Sequence, residues 1–188
     1  MTRVNEAKRG LDGNIIYTPE KFFRFVSVYF SDPDEEKILL VLQKDREARK
    51  IWTPVGGEIE IPNTAVQQAI KEAKEEINVD VDILYLLSVH ERYDNDSPYM
   101  LTHDAHIEII EFHGLMADGQ TPECAKQPEE PEYEIVDLHW FDIEELNEAL
   151  EIGTIKVYPN VLQACQKLFT AFVSQEHFFQ QLKEHKII

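Results

Sequence analysis

The chain has 188 residues, 43% hydrophobic and 29% charged, an ordinary globular composition long enough for one domain with a substantial core. Its formal charge of −18 argues against gripping a nucleic-acid backbone, which needs Lys and Arg to neutralise phosphates, and an anionic ligand would need metal ions or a local basic patch to offset the field. Cys124 and Cys165 form neither a metal-spaced cluster nor a disulfide framework, which points to a reducing cytoplasm, and neither a signal-peptide core nor an apolar run of membrane length (about 20 residues) is present.

Residues 1–20 are polar and rich in turn formers (Gly10, Gly13, Pro19), and predict an arm with one short strand around Ile15-Ile16-Tyr17. Phe22 to Phe30 and Lys37 to Leu42 are rich in aromatic, aliphatic and β-branched residues. They read as two largely buried strands, joined by a turn at Ser31-Asp32-Pro33-Asp34. Asp45 to Lys50 reads as a charged loop. A short apolar run then reaches Gly56-Gly57, where the backbone can turn tightly or approach a ligand closely.

Pro62, Asn63 and Thr64 punctuate the chain, and either Asn63 or Thr64 can cap a helix. Val66, Ala69, Ile70, Ala73 and Ile77 recur at helical spacing and predict the stripe packed on the core. Glu72, Glu75 and Glu76 stand at i, i+3 and i+4, which gathers three carboxylates on neighbouring positions of one face. They lie in the last turns, where the helix dipole prefers cations, and Glu72 and Glu76 repel one another. Two readings are open. One is a solvated face whose charge Lys71 and Lys74 partly offset; the other is a site for a hard divalent cation, Mg²⁺ or Mn²⁺.

Val79 to Val89 begins by alternating and becomes fully apolar, as a strand entering the core does. Residues 90–104 predict a polar loop, where Arg92, Tyr93 and Tyr99 are candidates to clamp a phosphate or stack on a base, or simply to pack the loop. His103 and His106 lack zinc-helix spacing and read as ordinary strand or loop histidines. Ala105 to Phe112 predicts another strand, Gly119 to Pro131 a long surface loop, and Ile135 to Phe141 a further strand. Asp142 with Glu145 signals a short helix whose apolar face is Ile143, Leu146 and Leu150. Pro159 opens the last helix, which continues or restarts after Ser174.

The stretch from Gly57 to Val79 resembles the signature box of the Nudix hydrolase superfamily. That box reads Gly, five residues, Glu, seven residues, Arg-Glu, an apolar residue, any residue, Glu-Glu, any residue, Gly and an apolar residue. Gly57 supplies the opening glycine, Lys71-Glu72 the Arg-Glu pair, Glu75-Glu76 the Glu-Glu pair and Val79 the closing apolar residue. The departures are Asn63 for the first glutamate, Lys71 for the arginine and Asn78 for the closing glycine. Pro62 also stands where a glycine is frequent.

The resemblance implies an α/β fold, a Nudix-like α/β/α sandwich with a mixed β-sheet, built as one domain over residues 1–188 with an N-terminal arm (1–20) and a C-terminal helical segment (159–188). It implies that Glu72, Glu75, Glu76 and the Gly56 carbonyl hold Mg²⁺ or Mn²⁺ against a diphosphate, with Lys71 as an orienting residue. Similar enzymes take a further glutamate from a loop, and Glu132 and Glu134 stand in a suitable region; Glu72 or Glu134 would accept a proton from water. Arg92 and Tyr93 are the substrate-binding candidates.

The implied reaction is metal-dependent cleavage of a diphosphate linkage in a nucleoside diphosphate derivative, a nucleotide sugar or dinucleotide. The alternatives are a nucleoside triphosphate pyrophosphohydrolase and a Nudix-fold module that binds nucleotide without turnover. The expected partner is a small-molecule nucleotide, with neither nucleic-acid backbone nor membrane, and a homodimer is a possible assembly.

Overall fold

The computed structural model describes residues 8–9, 15–16, 21–32, 36–45, 48–94, 105–125 and 133–184. In chain order these form β1 (Lys8–Arg9), β2 (Ile15–Ile16), β3 (Lys21–Asp32), β4 (Lys37–Asp45), β5 (Lys50–Thr53) and β6 (Val55–Glu58). Helix α1 (Ala65–Ile77) follows, then β7 (Val81–Asp94), β8 (Ala105–Met116), β9 (Tyr133–Phe141), α2 (Ile143–Glu151) and α3 (Pro159–Glu184).

Strand β3 is the hinge of the architecture. It runs parallel to β8 from Lys21 to Phe30. On its other side it meets β6 over Phe25–Val28 and β4 over Phe30–Asp32, both antiparallel. Strand β4 carries the sheet on to β5 and β9, and β7 lines β8 at the opposite edge. The result is a mixed sheet of seven strands; β1 and β2 pair separately.

Strand alternation divides the core. Val26, Val28 and Phe30 of β3, with Leu39 and Val41 of β4, pack under Ala69, Ala73 and Ile77 of α1. Tyr29, Ile38, Leu40 and Phe141 face the other way, against Leu146 of α2 and Val161, Cys165, Leu168 and Phe169 of α3. Helices therefore cover both faces, as the sandwich expectation holds. This explains why Ile38 to Val41 form an unbroken apolar run, each residue fully buried. Each such side chain contributes about 1.5–3 kcal/mol through burial.

The helix ends follow their sequence signals. The Asp142 carboxylate accepts the Glu145 N–H at 2.8 Å, and Ile143 and Leu150 pack beside Leu146. Pro159 starts α3, which runs unbroken past Ser174. The Trp52 N–H donates to the Lys156 carbonyl at 2.8 Å, anchoring the entry to α3 on the sheet.

Several expectations are corrected. Residues 90–94 are not loop but the end of β7, with Arg92 opposite Ile107 and Tyr93 opposite His106. This polar stretch is a strand because it pairs along β8, at the edge of the sheet. Ser31 and Asp32 belong to β3, Asp45 to β4, and β8 extends to Met116. The arm holds two paired two-residue strands rather than one. Val66 and Ile70, assigned to the core, are 47% and 44% exposed, while Gln68 and Glu76 are buried in their stead. Tyr99, His103, Glu132, the remainder of the 95–104 loop and residues 126–131 lie outside the described residues.

Candidate active site

The site begins where two glycines let a strand and a helix close together. A Cβ on Gly56 would lie 2.0 Å from the Val26 carbonyl oxygen, so β6 could not pair with β3 at that spacing. A Cβ on Gly57 would lie 2.5 Å from Glu72 Oε1. Gly57 thus leaves the space that the Glu72 carboxylate fills. From β6 the chain crosses a cis Ile61–Pro62 bond and enters α1. Thr64, rather than Asn63, is the N-cap, and it shares reciprocal hydrogen bonds with Gln67.

Asn63 has another task. Its Nδ2 donates to Gln68 Oε1 at 2.8 Å, and the Glu60 N–H donates to the same oxygen at 3.3 Å. With its oxygen so occupied, the Gln68 amide directs Nε2 at Glu72 Oε1, 2.6 Å away. Gln68, Glu72 and Glu76 stand at i, i+4 and i+8 on the inner flank of α1. One turn further on, Glu76 Oε2 accepts the Gly56 N–H at 3.0 Å.

These carboxylates are held away from water. Burial pushes the Glu76 carboxyl up to about 8, with the charges of Glu72 and Glu75 adding to the rise; the Gly56 hydrogen bond offsets only part of it. Burial raises Glu72 as well, against the Gln68 hydrogen bond. Glu75 is exposed and lies 3.6 Å from Lys71 Nζ. Lys71 reaches Glu60 Oε2 at 2.6 Å, and that bond raises its ammonium above the usual lysine value.

The helix closes at Asn78, in the left-handed conformation (φ 55°), and its side chain donates to Glu123 Oε1 at 2.9 Å. The Glu123 and Ala125 N–H groups donate to the carbonyls of Ile77 and Glu76, at 3.1 and 2.9 Å.

Of the candidate residues, the structure brings together Gly56, Glu72 and Glu76, with Glu75 and Lys71 at the outer margin. Glu134 is exposed at the end of β9 and paired with Lys44, 3.3 Å away. The charges acting on Glu72 and Glu76 come instead from α1 itself and from Glu60. The backbones of Arg92 and Tyr93 lie in β7, while their side chains fall outside the described residues.

Glu60, Gln68 and Glu123 are the residues that sequence reasoning missed. Gln68 carried a legible signal, one helical turn before Glu72; the partnerships of Glu60 and Glu123 depend on the folded chain. A separate buried carboxylate, Glu111 of β8, accepts Tyr29 Oη at 3.1 Å and Ser88 Oγ at 2.5 Å, with His90 Nε2 at 2.9 Å.

The box residues fit a hard divalent ion. Their donors are carboxylate oxygens, and a carboxylate as buried as Glu76, beside like charges, is stabilised by a cation. Among the described residues no three such side chains form a preassembled cage.

The NUDIX domain family model matches residues 21–161. Solved structures with the same fold include a NUDIX hydrolase from Nitrosomonas europaea, 18% identical with a TM-score of 0.61, covering 80% of this chain and 90% of that one. A MutT NUDIX hydrolase from Burkholderia pseudomallei is 17% identical with a TM-score of 0.60, covering 78% and 98%. A NUDIX-family hydrolase from Clostridium perfringens is 20% identical with a TM-score of 0.56, covering 79% and 96%. No curated protein matches the chain significantly.

Proposed function

This chain belongs to the NUDIX hydrolase family, and from that premise we propose that it cleaves a diphosphate linkage in a nucleoside diphosphate derivative, a nucleotide sugar or dinucleotide, with Mg²⁺ or Mn²⁺ as cofactor. The observation that carries this reading is the buried Glu76, fixed on the Gly56 N–H one helical turn from Glu72. Glu72, Glu75 and Glu76, with the Gly56 carbonyl, would hold the metal. Bound there, a divalent ion neutralises phosphate charge and acidifies water.

The chain's own residues supply the remainder. Gln68 holds one oxygen of Glu72 and leaves the other for a second partner. Glu72, oriented by Gln68, is the candidate proton acceptor. Glu134, the other candidate, would have to leave Lys44 to serve. Lys71, held by Glu60, keeps a positive charge beside the trio and partly offsets its negative field.

The partner is a small-molecule nucleotide, and nucleic-acid backbone binding is disfavoured by the charge of −18. No helix among the described residues is long and apolar enough to cross a membrane. The free thiols Cys124 and Cys165 suit a reducing cytoplasm.

The test is a hydrolysis screen of nucleotide sugars, dinucleotides and triphosphates with Mg²⁺ and Mn²⁺, alongside Glu76→Gln. Turnover of a diphosphate-linked substrate that Glu76→Gln abolishes is the expected result. Preference for triphosphates would move the assignment to pyrophosphohydrolase. Nucleotide binding without turnover would make the chain a binding module.

A further inference from the structure

The last four carbonyls of a helix lack partners within it, and α1 adds a repulsive group of glutamates at that end. Residues 117–125 supply partners for two of those carbonyls. Besides the Glu123 and Ala125 N–H bonds to Ile77 and Glu76, the segment is tied at its other end. The Ala117 N–H donates to the Asp80 carbonyl at 3.0 Å, Asp80 N–H to Gln120 Oε1 at 2.5 Å, and Gln120 Nε2 to Asp80 Oδ2 at 2.8 Å. The segment therefore grips the exit of α1 from both sides.

Asn78 links this grip to the helix. Glycine at the position would make the same left-handed turn at lower cost and offer no side chain. Asparagine makes the turn and also donates to Glu123. Glu76 is consequently fixed at two points, its carbonyl by the Ala125 N–H and its carboxylate by the Gly56 N–H.

We propose that residues 117–125 form a latch that positions Glu76 for divalent-ion binding, with Asn78 and Glu123 as its side-chain tie. These are positioning residues, acting through the backbone of the last turn. The proposal rests on the metal-dependent reading above.

The test measures Mn²⁺ affinity of the full-length protein by electron paramagnetic resonance of the free ion, with melting curves in chelator recorded in parallel. Glu123→Ala and Asn78→Gly should each weaken Mn²⁺ binding by about tenfold, the lower end of what outer-shell supports of a metal site contribute. Glu123→Gln keeps the acceptor while losing the charge and should bind as the parent does. The double variant should be no weaker than either single one, because both break the same bond.

Lower melting temperatures with unchanged Mn²⁺ affinity would reduce the segment to an ordinary helix cap and overturn the latch. So would additive losses, or a Glu123→Gln variant as weak as Glu123→Ala. A parent protein that binds no Mn²⁺ would overturn the functional reading and the latch together. Binding in the parent that the variants leave untouched would overturn the latch alone.

Discussion

Substituting Glu76 by Gln in the metal-free protein isolates the cost of the buried carboxylate. The amide retains an oxygen for the Gly56 N–H but carries no charge. In the unfolded chain the carboxyl ionises near 4.5, and in the folded protein near 8. Below 4.5 both states are protonated and the perturbation contributes nothing to stability. Between these values the unfolded state is ionised while the folded state holds its proton, so stability falls as pH rises, by about 1.36 kcal/mol per unit. Above 8 the loss levels off, at about 5 kcal/mol in total.

Glu72, also raised by burial, slopes the same way in both proteins. The difference between parent and Glu76→Gln reports Glu76 together with its coupling to Glu72 and Glu75. Urea and thermal unfolding in chelator, from pH 4.5 to 8.5 at fixed ionic strength, measure it. The variant's advantage should grow across this range, to a relative melting shift of about 10–20 °C at 2–4 °C per kcal/mol for a chain of this size. Metal narrows the gap: at a hundred times its dissociation constant it should stabilise the parent by about 2.7 kcal/mol and the variant hardly at all. Stability curves that stay parallel across the range would refute the buried, proton-holding Glu76.

Gly57→Ala should leave the fold intact yet lower kcat/KM by about a hundredfold, since the new Cβ displaces the Glu72 carboxylate; full activity would show that Glu72 tolerates displacement. Asn63→Glu should slow hydrolysis by about tenfold, because Gln68 loses the shorter of the two donors that orient it toward Glu72 and gains a carboxylate facing its oxygen. Lys71→Arg should remain near parental activity by keeping a cation on Glu60, and steady-state kinetics of the two single variants separates these effects. Glu111→Gln should lower stability to urea by about 1–3 kcal/mol, since the amide cannot accept from Tyr29, Ser88 and His90 together.

The strands were legible wherever residue type alone decides burial. Ile38 to Val41 announces a strand covered on both faces, and the structure covers it so. The carboxylate group was legible too, because helical spacing converts positions 72, 75 and 76 directly into proximity. The inner face of α1 was misread for a definite reason. Hydropathy assigns Val66 and Ile70 to the core and Gln68 and Glu76 to solvent, but β6 and the turn before the helix offer buried hydrogen-bond partners at those polar positions. Specific polar contacts outweigh periodicity there. The polar edge of β7 failed for the complementary reason, since its pairing with β8 is fixed by the partner strand and not by its own composition.

The departures from the box pattern also look different once their partners are known. Read singly, Asn63, Lys71 and Asn78 weaken a signature. In the folded chain each has a specific bond: Asn63 to Gln68, Lys71 to Glu60 and Asn78 to Glu123. Two of these bonds lead back to the carboxylates, through Gln68 to Glu72 and through the helix exit to Glu76. A glutamate at position 63 would face the Gln68 oxygen that now accepts from asparagine, so restoring that single residue works against the local network. The box in this chain is therefore a set of coupled contacts, in which Gln68 holds Glu72 and the Gly56 N–H holds Glu76.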